Sequence, residues 1–308
     1  MASNEVSTTG DHARSLLISP HVSRNRPLLA RPIAEGMFLG LARGIIICTV
    51  TILLVLIGDV VFDGLPRWTV SFLTSYQSRK PELAGVLAGL VGSLYLILLT
   101  IIIALPVGLG AAIYLEEYAR KSVFTRFVEL CIANLAGVPS VIFGLLGLQL
   151  FARMLHLDRS LIAGALTLSL LVLPVIIMAS REALKTVPRG YREGALALGA
   201  TRWQMIRTQV MPVAMPGVLT GCILAFSRAL GETAPLVALG ALAYVAAVPD
   251  SLNAQFTALP IQAFNWLSRP QEAFHANAAA AITVLLVVML VMNAVAVLLR
   301  ARFQARQR

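Results

Sequence analysis

Hydrophobic and polar positions fall in long blocks along this chain, not with the short periods of soluble strands or helices. A run of about 20 apolar residues is enough to cross a bilayer as a helix. The pattern predicts six such spans: about Leu39 to Val61, Ala84 to Leu115, Phe127 to Met154, Leu161 to Ala179, a fifth starting near Gly217, and Ala278 to Leu299. Asp63 to Leu83 reads as an external loop with interfacial Trp68 and Tyr76, and Pro249 to Ala276 as a second, longer one. Two spans carry helix breakers. Pro106, Gly108 and Gly110 predict a kink or a close helix contact in the second. Gly137-Val138-Pro139-Ser140 interrupts the third. Inside lipid a break must have its backbone groups met by protein or water, so this one is expected within the bundle, near a cavity. A simple kink and a substrate contact both fit it.

Composition agrees with the spans and excludes a soluble domain: 58% hydrophobic residues, 13% charged and a mean hydropathy of +0.81 over 308 residues. The first apolar run is too long for a signal-peptide core and lacks a small-residue cleavage site, so it is expected to remain as a span. A net charge of +10 would suit a nucleic-acid binder, but the cations sit in short connectors and at the two ends, with no nucleic-acid-binding motif. With six spans, both termini share one side. That side collects 17 Lys and Arg from the two tails, Arg120 to Arg126 and Arg181 to Arg207, against six on the other. The bias predicts a multi-pass protein of the cell membrane with both termini cytoplasmic. Residues 1–36, rich in Ser, Pro and Arg, read as a disordered cytoplasmic tail. Residues 37–300 form the six-span domain, and residues 301–308 a basic cytoplasmic tail.

Between the fourth and fifth spans lies a polar loop, residues 181–215, containing REALKTVPRGYREGALALGATRWQMIRTQVMPVAM. Pro188 suits a first helical turn, Gly199 a helix C-cap, and Thr201 with Gln204 a capping box. Two short helices at the membrane surface would form a rigid knob for a soluble partner.

This loop resembles the cytoplasmic signature of ABC importer permeases: Glu-Ala-Ala, a Gly four residues past it, and Leu-Pro about a dozen residues later. Here the pattern stands as Glu193-Gly194-Ala195, Gly199 and Met211-Pro212, with Gly194, Gln209 and Met211 replacing the commonest Ala, Ile and Leu. The resemblance implies that Glu193, Gly194, Ala195, Gly199 and Pro212 belong to a coupling helix seated in a cleft of the ATP-hydrolysing subunit. PVGLGAAIYLEEYA, SRALGETAPL and FTALPIQAFNW are similar to the phosphate branch of these permeases, and the last favours its PstA-type over its PstC-type subunit. The implied fold is an all-α, type I-like permease of six transmembrane helices with a cytoplasmic coupling helix. Its implied partners are an ATPase dimer, a homologous PstC-type permease, an extracytoplasmic phosphate-binding protein and membrane lipid.

The fifth span carries Arg228 and Glu232, four residues apart and therefore able to pair on one helix face. An unpaired charge at the bilayer centre costs ~2.5–3.5 kcal/mol on insertion scales, so a structural ion pair is one reading. The other follows from Thr233-Ala234-Pro235, because the backbone before a proline is biased away from the helix. The loosened segment would then place Arg228, Glu232 and Thr233 on a substrate path. The resemblance ties a charged pair in this segment to phosphate passage.

Enzyme chemistry is missing from the sequence. There is no G-x-x-x-x-G-K-[ST] loop, so ATP–Mg is expected on the separate ATPase, with no cofactor on this chain. HExxH, a nucleophile elbow and a Cys/His cluster are also absent. His156 with Asp158 reads as a solvated turn, and Cys48, Cys131 and Cys222 as small hydrophobes. The sequence thus predicts the permease subunit of an ATP-driven phosphate importer. A permease for another oxyanion, of the sulfate or molybdate type, and a non-transporting membrane scaffold are the alternatives.

Overall fold

The computed structural model describes residues 30–241, 244–245 and 247–305. Most of the proposed N-terminal tail and the last three residues lie outside them. The chain divides into two units, Met1–Leu56 and Ile57–Arg308. The described part of the first is one helix, the leading portion of α1 (Ala30–Gly64), which starts inside the stretch assigned to the tail. From Gly36 to Leu56 almost every residue is exposed, including Phe38, Leu41, Ile45 and Leu54. A helix apolar on all sides needs an apolar surround.

In the second unit, α2 (Val70–Thr74) is capped by the Thr69 hydroxyl, which accepts from the Phe72 amide. It leads to α3 (Leu87–Ile113), which continues through a π-type turn at Tyr114–Tyr118. The α3 helix passes through Pro106 unbroken and approaches its neighbour closely at Gly108, where a Cβ would lie 2.7 Å from Ile176 Cγ2. Next come α4 (Val123–Leu135) and α5 (Ser140–Gly147), the latter extended by a π-type turn to Met154. The two are bent by 102° at the Gly-Val-Pro break. Among the described residues five helices are long and apolar enough to cross a membrane, and this bent pair makes a sixth if counted as one span.

The next helix, α6 (Leu161–Lys185), is the packing axis, and 61% of its most apolar window is buried. Two of its buried hydroxyls bond back along the helix, with Thr167 Oγ1 donating to Ala163 O and Ser169 Oγ to Ala165 O, each at 2.7 Å, while Ser180 Oγ is buried without a partner among the described residues. A buried hydroxyl without a partner is costly. Beyond α7 (Arg189–Ala197) the chain enters α8 (Arg202–Met205), a π-type turn at Ile206–Val210 and α9 (Met211–Gly231). These three pieces form one continuous 30-residue helix, so the fifth span begins well before Gly217 and the loop's second helix is its foot. Gly217 and Gly221 on α9 face Ala183 and Ala179 on α6, so two helix backbones pack at small-residue distance.

Then α10 (Ala234–Leu239) packs on α5, where Gly144 accommodates Pro235 and Ala238. The FTALPIQAFNW stretch departs from the loop expected. Its core is α11 (Leu259–Leu267), and Phe256, Leu259, Gln262 and Trp266 are buried against α3 and α12 (Ala273–Ala305). The Gln262 amide donates to Gly85 O at 2.8 Å, and Ser93 Oγ accepts from the Leu259 amide at 2.8 Å. These bonds let a polar segment sit in an apolar bundle.

Candidate functional site

Two groups of predicted residues lie at different places in the second unit. The first surrounds α7. Pro188 precedes its first turn, with φ −58° and ψ 143°, so it directs the chain into the helix from one position earlier than expected. Gly199 closes the helix at φ +82°. The Gly199 amide donates to Leu196 O and the Ala200 amide to Ala195 O, the paired bonds of a Schellman cap. Nothing lies within 4 Å of a Cβ built at Gly199, so glycine is required there by the backbone angle and not by crowding. The Thr201–Gln204 capping box is present in both directions. Glu193, Gly194 and Pro212 are exposed, while Ala195 packs toward the core. Around them Tyr191, Leu196, Leu198 and Trp203 are exposed, Leu198 to 90%. Large apolar side chains left out on a capped knob mark a contact surface.

A clasp that the sequence reading did not assign fixes this knob. Glu117, at the end of α3, is 5% exposed and takes Arg192 of α7 through both carboxylate oxygens, with Nη2–Oε1 at 2.7 Å and Nε–Oε2 at 3.2 Å. The same guanidinium donates to Leu184 O and Val187 O at the end of α6. Arg181 on α6 reaches Glu129 of α4 at 2.7 Å and Glu116 at 3.7 Å. One Arg fork thus ties three helix ends together, and bidentate pairing fixes the angle as well as the distance. The signal in the sequence was the acidic pair Glu116-Glu117 at a span end, opposite an Arg-rich loop.

The second group surrounds Arg228. The α9 helix ends at Gly231, Glu232 leaves the helix with ψ 114°, and α10 resumes at Ala234 with Pro235 buried behind it. The loosening expected before Pro235 therefore falls at Glu232-Thr233. Arg228 Nε still donates to Glu232 Oε1, at 3.1 Å. The Arg228 side chain is 55% exposed and that of Glu232 17%. Neither terminal nitrogen of Arg228 makes a hydrogen bond among the described residues. Beside Arg228 a cavity of about 10 Å³ is lined also by Leu135, Ala136 and Val138, so the α4–α5 break faces Arg228 here. That space suits about one water. The α4–α5 break is less enclosed than expected: Gly137 and Pro139 are exposed, and Val138 and Ser140 half-buried. Thr233 is half-buried at the same break. On the next helical position Ser227 pairs with Asn293 of α12, which holds this part of α9 in place.

Comparison with known proteins agrees with this architecture. A permease named probable ABC transporter permease protein YqgI, from Bacillus subtilis (strain 168), is 34% identical over 205 residues, covering 67% of this chain and 68% of that one. The phosphate transport system permease protein PstA 1 of Mycobacterium tuberculosis (strain ATCC 25618 / H37Rv) is 34% identical over 224 residues, covering 73% and 72%. Among solved structures, a bacterial ABC transporter that imports the acidic polysaccharide alginate aligns with a TM-score of 0.59 at 15% identity, covering 88% of this chain and 99% of that one. The MetNI methionine ABC transporter, in an inward-facing conformation, aligns at 0.54 and 18% identity, covering 71% and 94%. At such identities the structures speak for the fold alone. The profile of the binding-protein-dependent transport system inner membrane components matches residues 104–308. The chain belongs to that family, as a membrane-embedded transport subunit and not an enzyme.

Proposed function

We propose that this chain is the PstA-type permease of an ATP-driven importer that carries inorganic phosphate into the cytoplasm. The observation that carries the reading is the Arg228 fork, held by Glu232 through Nε alone at a break between two helices, with both terminal nitrogens open. A planar fork matches phosphate oxygens bidentately. Relatives named for phosphate transport support the choice of ion. Glu232 adds a reason to prefer phosphate to sulfate or molybdate. Hydrogen phosphate carries a proton that a carboxylate can accept in a hydrogen bond, whereas a fully ionised oxyanion would meet repulsion. The cavity beside Arg228 is far smaller than the ion, which supports a path completed by a second permease, of the PstC type by resemblance.

The exposed knob around α7 is the seat of the ATPase dimer, which binds the ATP–Mg. An extracytoplasmic phosphate-binding protein delivers the ion at the opposite end. This arrangement requires both termini and α7 in the cytoplasm, as the charge bias implies. Single cysteines at Ser78 and Asn253 are expected to react with a membrane-impermeant reagent on sealed cells. Ala200→Cys should react only in inside-out vesicles stripped of peripheral protein. Labelling of Ala200→Cys in sealed cells overturns the orientation. ATP-dependent uptake of labelled phosphate by vesicles holding the assembled complex tests the function itself.

A further inference from the structure

We propose that the basic cavity beside α4 binds the phosphate headgroup of an anionic membrane lipid. The cavity has a volume of about 680 Å³ and lies between the end of α3, the start of α4 and the end of α6. Five cations line it, Arg120, Lys121, Arg126, Arg181 and Lys185, against two carboxylates, Glu116 and Glu129. Both carboxylates are engaged by Arg181, and Lys185 pairs with Glu182. Arg120, Lys121 and Arg126 have no ion-pair partner among the described residues. Three uncompensated cations around one cavity favour an anion.

The neighbouring surface identifies its source. The α4 helix is amphipathic: Glu129 turns toward the cavity, while Val123, Phe124, Phe127 and Leu130 are exposed, Val123 to 88% and Phe124 to 74%. Residues three and four apart share a helix face, so these four make one apolar stripe beside the cations. A free phosphate ion needs no such stripe, but a lipid does. Its headgroup fits the cavity and its acyl chains lie along Phe124 and Phe127, as for a helix in the membrane interface. Basic pockets between helices on the cytoplasmic side are suited to anionic headgroups. The proposal rests on the cytoplasmic orientation given above, which cysteine labelling reads separately.

The test uses the full chain purified in mild detergent with equal amounts of phosphatidylglycerol and phosphatidylcholine, counting retained lipids by native mass spectrometry. Wild type is expected to retain phosphatidylglycerol preferentially. The triple variant Arg120→Gln/Lys121→Gln/Arg126→Gln should lose that preference at least tenfold, since each cation near an anionic headgroup contributes about fivefold. Phe124→Asn/Phe127→Asn leaves the charges intact and should lower retention of long-chain more than short-chain phosphatidylglycerol. Equal retention by wild type and the triple variant overturns the proposal. So does displacement of the lipid by excess inorganic phosphate, which would make this a free-anion site. Loss of the lipid when the ATPase subunit binds would assign the cavity to a protein contact and likewise overturn it.

Discussion

Arg228→Gln is expected to abolish phosphate uptake while the four-subunit complex still assembles and hydrolyses ATP at its basal rate. The geometry separates this outcome from that of a structural lock. A lock would be enclosed, because removing one partner of an ion pair is strongly destabilising when it leaves the other charge buried and uncompensated. Arg228 instead shows 55% of its side chain and bonds through one nitrogen of three. With Arg228 more than half exposed, losing this pair should cost less in folding than breaking an enclosed one, and the partner left behind is Glu232, 17% exposed. Losing the Arg228 fork removes the anion's donors. Arg228→Lys keeps the charge but not the fork and is expected to restore only a small fraction of uptake. Normal uptake by Arg228→Gln would leave the pair a structural element and remove it from the path.

The second large effect is expected at the clasp. Arg192→Ala leaves Glu117 buried and unpaired, which costs about 3–5 kcal/mol, and also strips two helix-end carbonyls of their donor. The expected result is a permease that loses thermal stability in detergent. Adding Glu117→Gln to Arg192→Ala should recover much of that loss by removing the stranded charge. Gly199→Asp should behave differently. A left-handed conformation costs an L-residue roughly 1–2 kcal/mol, and space around Gly199 is open, so the chain should insert and keep its fold. A carboxylate on the contact surface is then desolvated when the ATPase seats, and ATPase co-purification should fall sharply. Undiminished ATPase binding by Gly199→Asp would move the docking surface elsewhere. An unchanged melting profile for Arg192→Ala would mean the clasp carries no strain of the fold.

These two sites differ in how far the sequence disclosed them. The knob was legible because its signals are local: Gly199 at a left-handed cap and the Thr201–Gln204 box act within one or two helical turns. The break before Pro235 was legible for the same reason. The continuity of α9 with its foot was not, because the polar run Arg202 to Val210 reads as a separate short helix, and its packing through Met205, Ile206 and Val210 joins it to the span. The burial of α11 was hidden too. A nine-residue helix is too short to register as a span, and its Gln262 and Ser93 bonds come from partners more than 160 residues apart in sequence. The Glu117–Arg192 clasp joins residues 75 apart, a separation to which neither periodicity nor spacing is sensitive. The Gly-Val-Pro break was legible as a break, but not as an open one.

The central claim is that this chain, with its partners, moves phosphate inward at the expense of ATP. The most direct test is uptake of radiolabelled phosphate into proteoliposomes holding the four-subunit complex, with the binding protein outside and ATP–Mg sealed within. Uptake should require both ATP and the binding protein, and excess unlabelled phosphate should suppress it while sulfate and molybdate do not. Uptake that sulfate or molybdate suppresses as strongly as phosphate, or no ATP-dependent uptake by an intact complex, would contradict it.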